Sequence, residues 1–393
     1  MNFWSTLPTP IIGLSPMDGV TDATFRRIVA WQGKPDVTFT EFTHVHDVCR
    51  GPEFLLDSLH YHEAERPIVA QLYGKDPALF YQAAHAVCEL GFDGLDINMG
   101  CPSRNVASSG SGAGLIKTPD LAHAIMRAAR QGIADWTAGQ TLEAAGLKPV
   151  RAEAIRRLNE HRGAAAQSVR TPIPLSVKTR LGYDEVIVER WIEHLLIESP
   201  RAISLHGRTL QQMYRGEADW SAIARAAEIV RGSGTMLFGN GDVQSLAEVV
   251  RRVHETGVDG VLVGRAALGA PWFFRGKEEA RQCARSARSV ETEHWMPSLS
   301  ARFEILLEHA KQFEANWGRE QFRRMRKHLG WYCKGFPHAA ALRARMFSVS
   351  CVGDVEAALA EFQTHQTFET HQNAAAFAPD DVDAMTPLAS RCG

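Results

Sequence analysis

Eight short apolar runs recur along the chain, and most neighbouring pairs leave room for one helix between them. The runs cover 11–16, 36–42, 67–73, 93–98, 173–179, 202–206, 235–240 and 259–264. Each is short and apolar or β-branched, the pattern of strands buried on both faces. Their starts lie 25, 31, 26, 80, 29, 33 and 24 residues apart, so six of the seven intervals hold one strand and one helix. That alternation predicts an α/β chain folded as a (β/α)8 TIM barrel over residues 1–270.

The 80-residue interval contains one expected helix, 119–131, followed by an insert at 132–171. The insert carries a second predicted helix, 150–161, with Ile155 and Leu158 on one side. By strand order it joins the fourth helix to the fifth strand, at the barrel end opposite the chemistry. It is therefore expected to be structural or a contact surface. After Gly264 the strand pattern stops. Residues 271–362 read as a small all-helical domain, clearest at 299–317 and 321–334. Residues 363–393, with an acidic cluster at Asp380, Asp381 and Asp383, read as a disordered tail.

With 45% hydrophobic and 22% charged residues the chain is neither mainly disordered nor a fibrous rod. A net charge of −2 announces no nucleic-acid binder, but the average hides a local field. Residues 271–362 hold 15 Lys/Arg against 11 Asp/Glu. Within 315–347, Arg319, Arg323, Arg324, Arg326, Lys327, Lys334, Arg343 and Arg345 face one acid, Glu320. A solvated helix face is the plain reading. The interleaved His328, Trp331 and Tyr332 favour RNA, whose phosphates meet cations and whose bases stack on rings. Seven cysteines, an odd number with no C-x-x-C pair, argue against a disulfide framework or a cysteine zinc site and for a reducing cytoplasm. No signal peptide, membrane span or metal site is expected, and a monomer is.

Catalytic groups of such a barrel lie at the C-terminal strand ends. The exits supply Pro16, Met17 and Asp18; Gln71; Asn98 and Cys101; Lys178 and Arg180; His206; Asn240, Gly241 and Asp242; and Gly264 and Arg265. Packing alone does not require Lys, His and Gln on buried strands. The glycine-rich exits of the last two strands precede expected helices, so backbone N–H groups there suit a phosphate, with Arg265 adding charge. Lys178 needs a partner if buried; it suits a Schiff base or a positive charge beside an electron-rich ring. A lone His206 would read as a core histidine, but Arg208, Thr209 and Gln212 surround it. Cys101, in a Gly-Cys-Pro turn, is a candidate acid or nucleophile at the mouth. The stretch Ser108-Ser109-Gly110-Ser111-Gly112 is expected to be a flexible lid.

Taken together, these residues resemble the tRNA-dihydrouridine synthases. The likeness runs through Pro16-Met17-Asp18-Gly19-Val20-Thr21-Asp22, Asn98-Met99-Gly100-Cys101-Pro102 with Val106, and Gly112-Ala113. It continues in Val177-Lys178-Thr179-Arg180-Leu181-Gly182, His206-Gly207-Arg208-Thr209 with Tyr214, Ala218-Asp219-Trp220, Asn240-Gly241-Asp242 and Gly264-Arg265. It reaches the helical region at Lys327-His328, Trp331-Tyr332 and Lys334.

The resemblance implies an FMN-dependent enzyme that reduces uridine in tRNA with electrons from NADPH. FMN would contact Pro16, Met17, Asp18, Gln71, Lys178, His206, Asn240, Gly241, Asp242, Gly264 and Arg265, and Cys101 would donate the proton. RNA contacts are expected at Asn98 and Arg180 and at Arg323, Arg324, Arg326, Lys327 and Lys334. Arg104-Asn105 stands where the family often has lysines, and Ser15 where Ala is common. The competing readings are an FMN barrel reductase of a small molecule, such as a dihydropyrimidine or a dihydroorotate, and a tRNA-binding chaperone without chemistry. The basic helical region disfavours the former, and Cys101, Lys178 and His206 together disfavour the latter.

Overall fold

A computed structural model describes residues 2–162, 169–213, 215–286 and 295–376. The chain divides into two compact units, Met1–Ser298 and Leu299–Gly393.

In the first unit the strands are β1 (Ile11–Leu14), β2 (Thr38–Phe39), β3 (Thr43–His44), β4 (Ile68–Tyr73), β5 (Gly94–Met99), β6 (Leu175–Arg180), β7 (Ala202–His206), β8 (Met236–Asn240) and β9 (Gly260–Val263). Their order is β1-β9-β8-β7-β6-β5-β4-β2, all parallel, with β3 also paired to β4. β2 and β3 are two pieces of one barrel strand. The ring closes through hydrogen bonds from Leu14 N–H to the Val37 carbonyl and from Asp36 N–H to the Ile12 carbonyl, both 3.0 Å. This is the TIM barrel that the eight runs predict.

Between the strands run α1 (Ala23–Gln32), α2 (Val45–Arg50), α3 (Pro77–Glu89), α4 (Arg104–Ser108), α5 (Pro119–Thr137), α6 (Pro149–Arg162), α7 (Val188–Ile197), α8 (Trp220–Val230) and α9 (Leu246–Thr256). Local chemistry starts them: Asp22 caps α1, Asp76 caps α3 with a proline at its first turn, and Ser245 caps α9. In the insert, α5 runs six residues past the expected end, to Thr137. α6 then lies outside α3: Arg151 donates to the Asp47 carbonyl at 3.1 Å and Asn159 to the Glu89 carbonyl at 2.6 Å.

Strand parity sorts the barrel side chains. Ile12, Ile68, Leu95, Val177, Ile203 and Val261 point out to the helices. Ile11, Phe39, Val69, Ala202, Phe238 and Leu262 point in, and Trp4 from the N-terminal turn caps this apolar floor.

The expected boundary at 270 is displaced to 298, because the chain after the last strand packs on the barrel. Trp272, Phe273 and Phe274 are buried. In α10 (Lys277–Ser286), Arg281 donates to Asp36 at 2.5 Å and to the Pro10 carbonyl at 3.2 Å. No sequence period distinguishes a helix closing a barrel from one opening the next unit.

The second unit holds α11 (Leu299–Trp317), α12 (Arg326–Tyr332), α13 (Ala339–Met346) and α14 (Val352–Ala376). The single helix expected over 321–334 is a 3-10 turn, Arg319–Met325, leading into α12. α14 carries the backbone helix to Ala376, past the expected tail boundary at 363. The rest of that tail, with Asp380, Asp381 and Asp383, lies outside the described residues, as does Tyr214.

Candidate active site

Above the apolar floor the inward positions turn polar. Gln71, Asp96 and Ser176 pair in register, and the inward positions nearer the C-terminal strand ends include Asn98, Lys178, His206 and Asn240. The top layer floors a cavity of about 500 Å³ at the C-terminal strand ends, a size typical of small-ligand sites. Pro16, Met17, Asp18, Asn98, Cys101, Lys178, Arg180, His206, Asn240, Gly241, Asp242, Gly264 and Arg265 line it. Of the expected barrel site residues only Gln71 does not. It is fully buried beneath the cavity.

The cavity carries excess positive charge. Lys178 Nζ donates to Asn240 Oδ1 at 3.2 Å, and the Asn240 amide donates to the Leu262 carbonyl at 2.8 Å. Burial, with Arg180 nearby, lowers the Lys178 pKa to about 8. Burial and the surrounding cations hold His206 well below its ordinary value, so it is neutral at pH 7. The Asp242 carboxylate accepts from Arg208 at 2.7 Å and from Arg265 at 2.5 Å. Its charge is thus committed to those two guanidiniums, away from Lys178 and Arg180. Gly241 has φ +133, and a Cβ there would stand 2.6 Å from the Ala218 Cβ. Only glycine lets the backbone pass at this strand exit.

The Cys101 turn is clamped from several sides. Its N–H donates to Asn98 Oδ1 at 2.8 Å, and Arg180 donates to the Gly100 carbonyl at 2.6 Å. Gly112, at φ +55, leaves room for Cys101: a Cβ on it would lie 3.2 Å from the Cys101 Cβ. Burial raises the thiol pKa, with Asp18 adding to the effect, so the sulfur keeps its proton at neutral pH.

Around the cavity, several segments take local forms that the sequence did not show. In the stretch 108–112, expected as a lid, Ser109 Oγ donates to the Val106 carbonyl at 2.7 Å, Ser108 and Ser109 are exposed, and Ser111 and Gly112 are buried. The helix N-terminus expected after the last strand is a three-residue 3-10 turn, Arg265–Ala267. Arg180 is committed to backbone carbonyls, including Thr209 at 3.1 Å, so it braces the mouth. The Asn98 amide is likewise engaged on both sides.

In the second unit, Arg323, Arg324 and Lys334 are exposed, whereas Arg326 and Lys327 are half-buried and Arg326 donates to the Val349 carbonyl at 2.7 Å. His328 and Tyr332 do not offer stacking surfaces. They are 1% exposed, and the His309 ring lies 5.0 Å from His328 and 3.2 Å from the Tyr332 hydroxyl. Trp331 is half-buried against His328.

The sequence reading does not single out Asp96 and Ser176. Their signal is parity: Asp96 shares the inward face of its strand with Asn98, and an acid there is not a packing choice. Outside the cavity, the ligand atoms of His44, His46 and Asp47 lie within 4.8 Å of one another. Among the described residues no helix is long and apolar enough to cross a membrane.

Fold and site define a (β/α)8 barrel with a cationic ligand cavity and a protonated thiol at its mouth, followed by a helical unit. A family model described as dihydrouridine synthase (Dus) matches residues 13–135 and 161–369. The chain belongs to this family. It is similar to a "Probable tRNA-dihydrouridine synthase" of Staphylococcus aureus (strain COL), 31% identical over 92% of this chain and 96% of that protein. It is also similar to "Probable tRNA-dihydrouridine synthase 2" of Bacillus subtilis (strain 168), at 32% over 92% and 97%. Among solved structures, a DHODH in complex with ferulenol from Eimeria tenella aligns at TM-score 0.46 and 12% identity, covering 71% of this chain and 82% of that one. Residues 136–160, most of the insert, fall outside the family match.

Proposed function

We propose that this chain is a flavin-dependent oxidoreductase that reduces the 5,6 double bond of a uridine in tRNA, with FMN held in the barrel cavity and NADPH as electron source. The observation that carries the reading is a cationic cavity with a buried, protonated thiol at its rim, in a chain of this family.

The residues fit FMN. Gly241, Gly264 and Arg265 offer backbone approach and positive charge where a phosphate would sit. Lys178, His206 and Asn240 offer donors at the floor, where a ring system would lie. Pro16, Met17 and Asp18 supply one wall. Gln71 acts from beneath. Bound there and reduced by NADPH, the flavin would supply the hydride for carbon 6 of uracil.

The chain's own residues do the rest. Negative charge develops on the pyrimidine as its double bond is reduced, and Lys178 and Arg180 supply compensating field. Carbon 5 then takes a proton, and the Cys101 thiol at the cavity rim, kept protonated by burial, would give it. His206, neutral, can donate without adding charge. The uridine must leave its stack to reach the cavity, at a cost of a few kcal/mol. Phosphate contacts from Arg323, Arg324 and Lys334 offset that cost. Arg326 and Lys327, half-buried, contribute field more than contact. The protein acts in the cytoplasm as a monomer without metal; the six described cysteines, all free thiols, support the reducing compartment.

The test is nucleoside mass spectrometry of undermodified tRNA incubated with the protein, FMN and NADPH. A two-hydrogen gain on uridine is expected, and fragment mapping names the position. Flavin binding and NADPH oxidation without that gain would replace this reading by a small-molecule reductase.

A further inference from the structure

We infer that Asp96 is a positioning residue: its carboxylate sets the polarity of a buried hydrogen-bond relay through Gln71 and Asn98 that holds the Cys101 turn. The relay is continuous. Ser176 Oγ donates to Asp96 Oδ1 at 2.6 Å, and Gln71 Nε2 donates to Asp96 Oδ2 at 2.7 Å. Asn98 Nδ2 donates to Gln71 Oε1 at 2.9 Å. Asn98 Oδ1 then accepts from the backbone N–H groups of Gly100 at 3.0 Å and Cys101 at 2.8 Å.

The chemistry of each group fixes the direction of the relay. Each side-chain amide has one donor end and one acceptor end, and can sit either way round. A carboxylate only accepts, so the Gln71 end facing Asp96 must be Nε2. Gln71 then presents Oε1 to Asn98, which must answer with Nδ2. That leaves Asn98 Oδ1 facing the turn, the one orientation that can accept from two backbone N–H groups. Reversed, the Asn98 amide would point its own donors at those N–H groups, and the turn would lose both bonds.

Burial makes the choice consequential. Asp96 and Gln71 are 0% exposed, Ser176 2%, Asn98 and Cys101 6% each. Mismatched donors at this depth have no water to turn to. The Gln71 backbone is fixed as well, its N–H donating to Thr40 Oγ1 at 2.9 Å. The inference rests on the proposed role of Cys101 only for its catalytic consequence; the geometry stands without it. It also gives Gln71, which does not line the cavity, a place in the site.

The experiment measures alkylation of Cys101 by iodoacetamide in the full chain, site by site, by peptide mass spectrometry. Asp96→Leu and Gln71→Met each cut the relay, and each should raise the Cys101 rate about tenfold, the effect of losing one or two buried hydrogen bonds. Labelling of Cys49 and Cys88, buried elsewhere, should stay at the wild-type level and report that the barrel is intact. If the two residues act through one chain, the double variant reacts no faster than either single one. Should Asp96→Leu fail to fold, Asp96→Asn gives the answer, because an amide tolerates both relay directions: a rate above wild type and below that of Gln71→Met is expected. A wild-type Cys101 rate in either folded Asp96 variant, or independent multiplication of rates in the double variant, would overturn the relay. Failure of the wild-type protein to reduce uridine would sink the activity and leave the labelling result standing.

Discussion

Replacing Lys178 by Met should stabilise the ligand-free protein while abolishing its function. The Lys178 pKa falls from 10.5 to about 8 mainly because the ammonium is buried. At about 1.4 kcal/mol per unit, holding it charged at pH 7 costs about 3 kcal/mol. Water entering the cavity lessens that figure, and Asp96, whose own pKa is raised to about 6, loses a cationic neighbour in the variant. A net gain of about 1–2 kcal/mol is therefore expected for Lys178→Met at pH 7, because Met fills similar volume without charge. The pH dependence carries the decisive sign. Below pH 8 the lysine is protonated in both folded and unfolded chains, and the full penalty is present. Between about 8 and 10.5 the folded chain has released the proton and the unfolded chain still holds it, so wild-type stability rises relative to the variant. Urea denaturation of both proteins at pH 7 and pH 9.5, without flavin, measures the difference. A variant less stable than wild type at pH 7, or a difference that does not shrink toward pH 9.5, would refute the reasoning.

Three further outcomes are expected. Cys101→Ala should slow uridine reduction by about 10²–10⁴ while leaving flavin binding in place, read by single-turnover nucleoside analysis; undiminished reduction would remove the thiol from the mechanism. Arg323→Glu combined with Arg324→Glu should weaken tRNA binding and flatten its salt dependence by about two units of slope, read by filter binding across ionic strengths; an unchanged slope would leave the second unit without phosphate contacts at these positions. Asp36→Asn should cost about 3 kcal/mol in urea denaturation, since the buried Arg281 loses a 2.5 Å partner and Lys277 a 2.6 Å one; a loss under 1 kcal/mol would show that Glu278 alone satisfies Arg281.

The barrel was legible in the sequence because most of its strand residues are buried on both faces, so short apolar runs mark the strands. The insert was legible as a broken interval, and the family match leaves most of it out. The cavity was legible because polar residues at strand exits have no packing use. Three things were hidden for physical reasons. Residues 271–286 carry the same helical signals as residues 299–334, and only tertiary contacts such as Arg281 with Asp36 attach them to the barrel. His328 and Tyr332 are amphipathic side chains, whose spacing cannot tell a stacking surface from a buried polar cluster. Gln71 lies within its strand, two residues before the end at Tyr73, and is therefore buried beneath the cavity rather than at its surface.

Lys178 and the relay under Cys101 illustrate one division of labour inside the barrel. A core built only for stability would continue the apolar floor of Phe39, Val69 and Phe238 upward. Instead Gln71, Asp96 and Ser176 fill the next layer with groups that satisfy one another, although burial still raises the Asp96 pKa to about 6 and so carries a cost. What it contributes is direction, because a layer of fixed donors and acceptors can orient the residues above it and an apolar one cannot. The top layer adds to that cost. Lys178 and Arg180 share a cavity in which the Asp242 carboxylate is already engaged by Arg208 and Arg265. An anionic ligand entering that cavity would lower the cost of keeping the buried Lys178 charged, so binding energy and folding stability are linked at this site. The desolvation of Lys178 in the ligand-free protein is thus the penalty that binding of an anion would reduce.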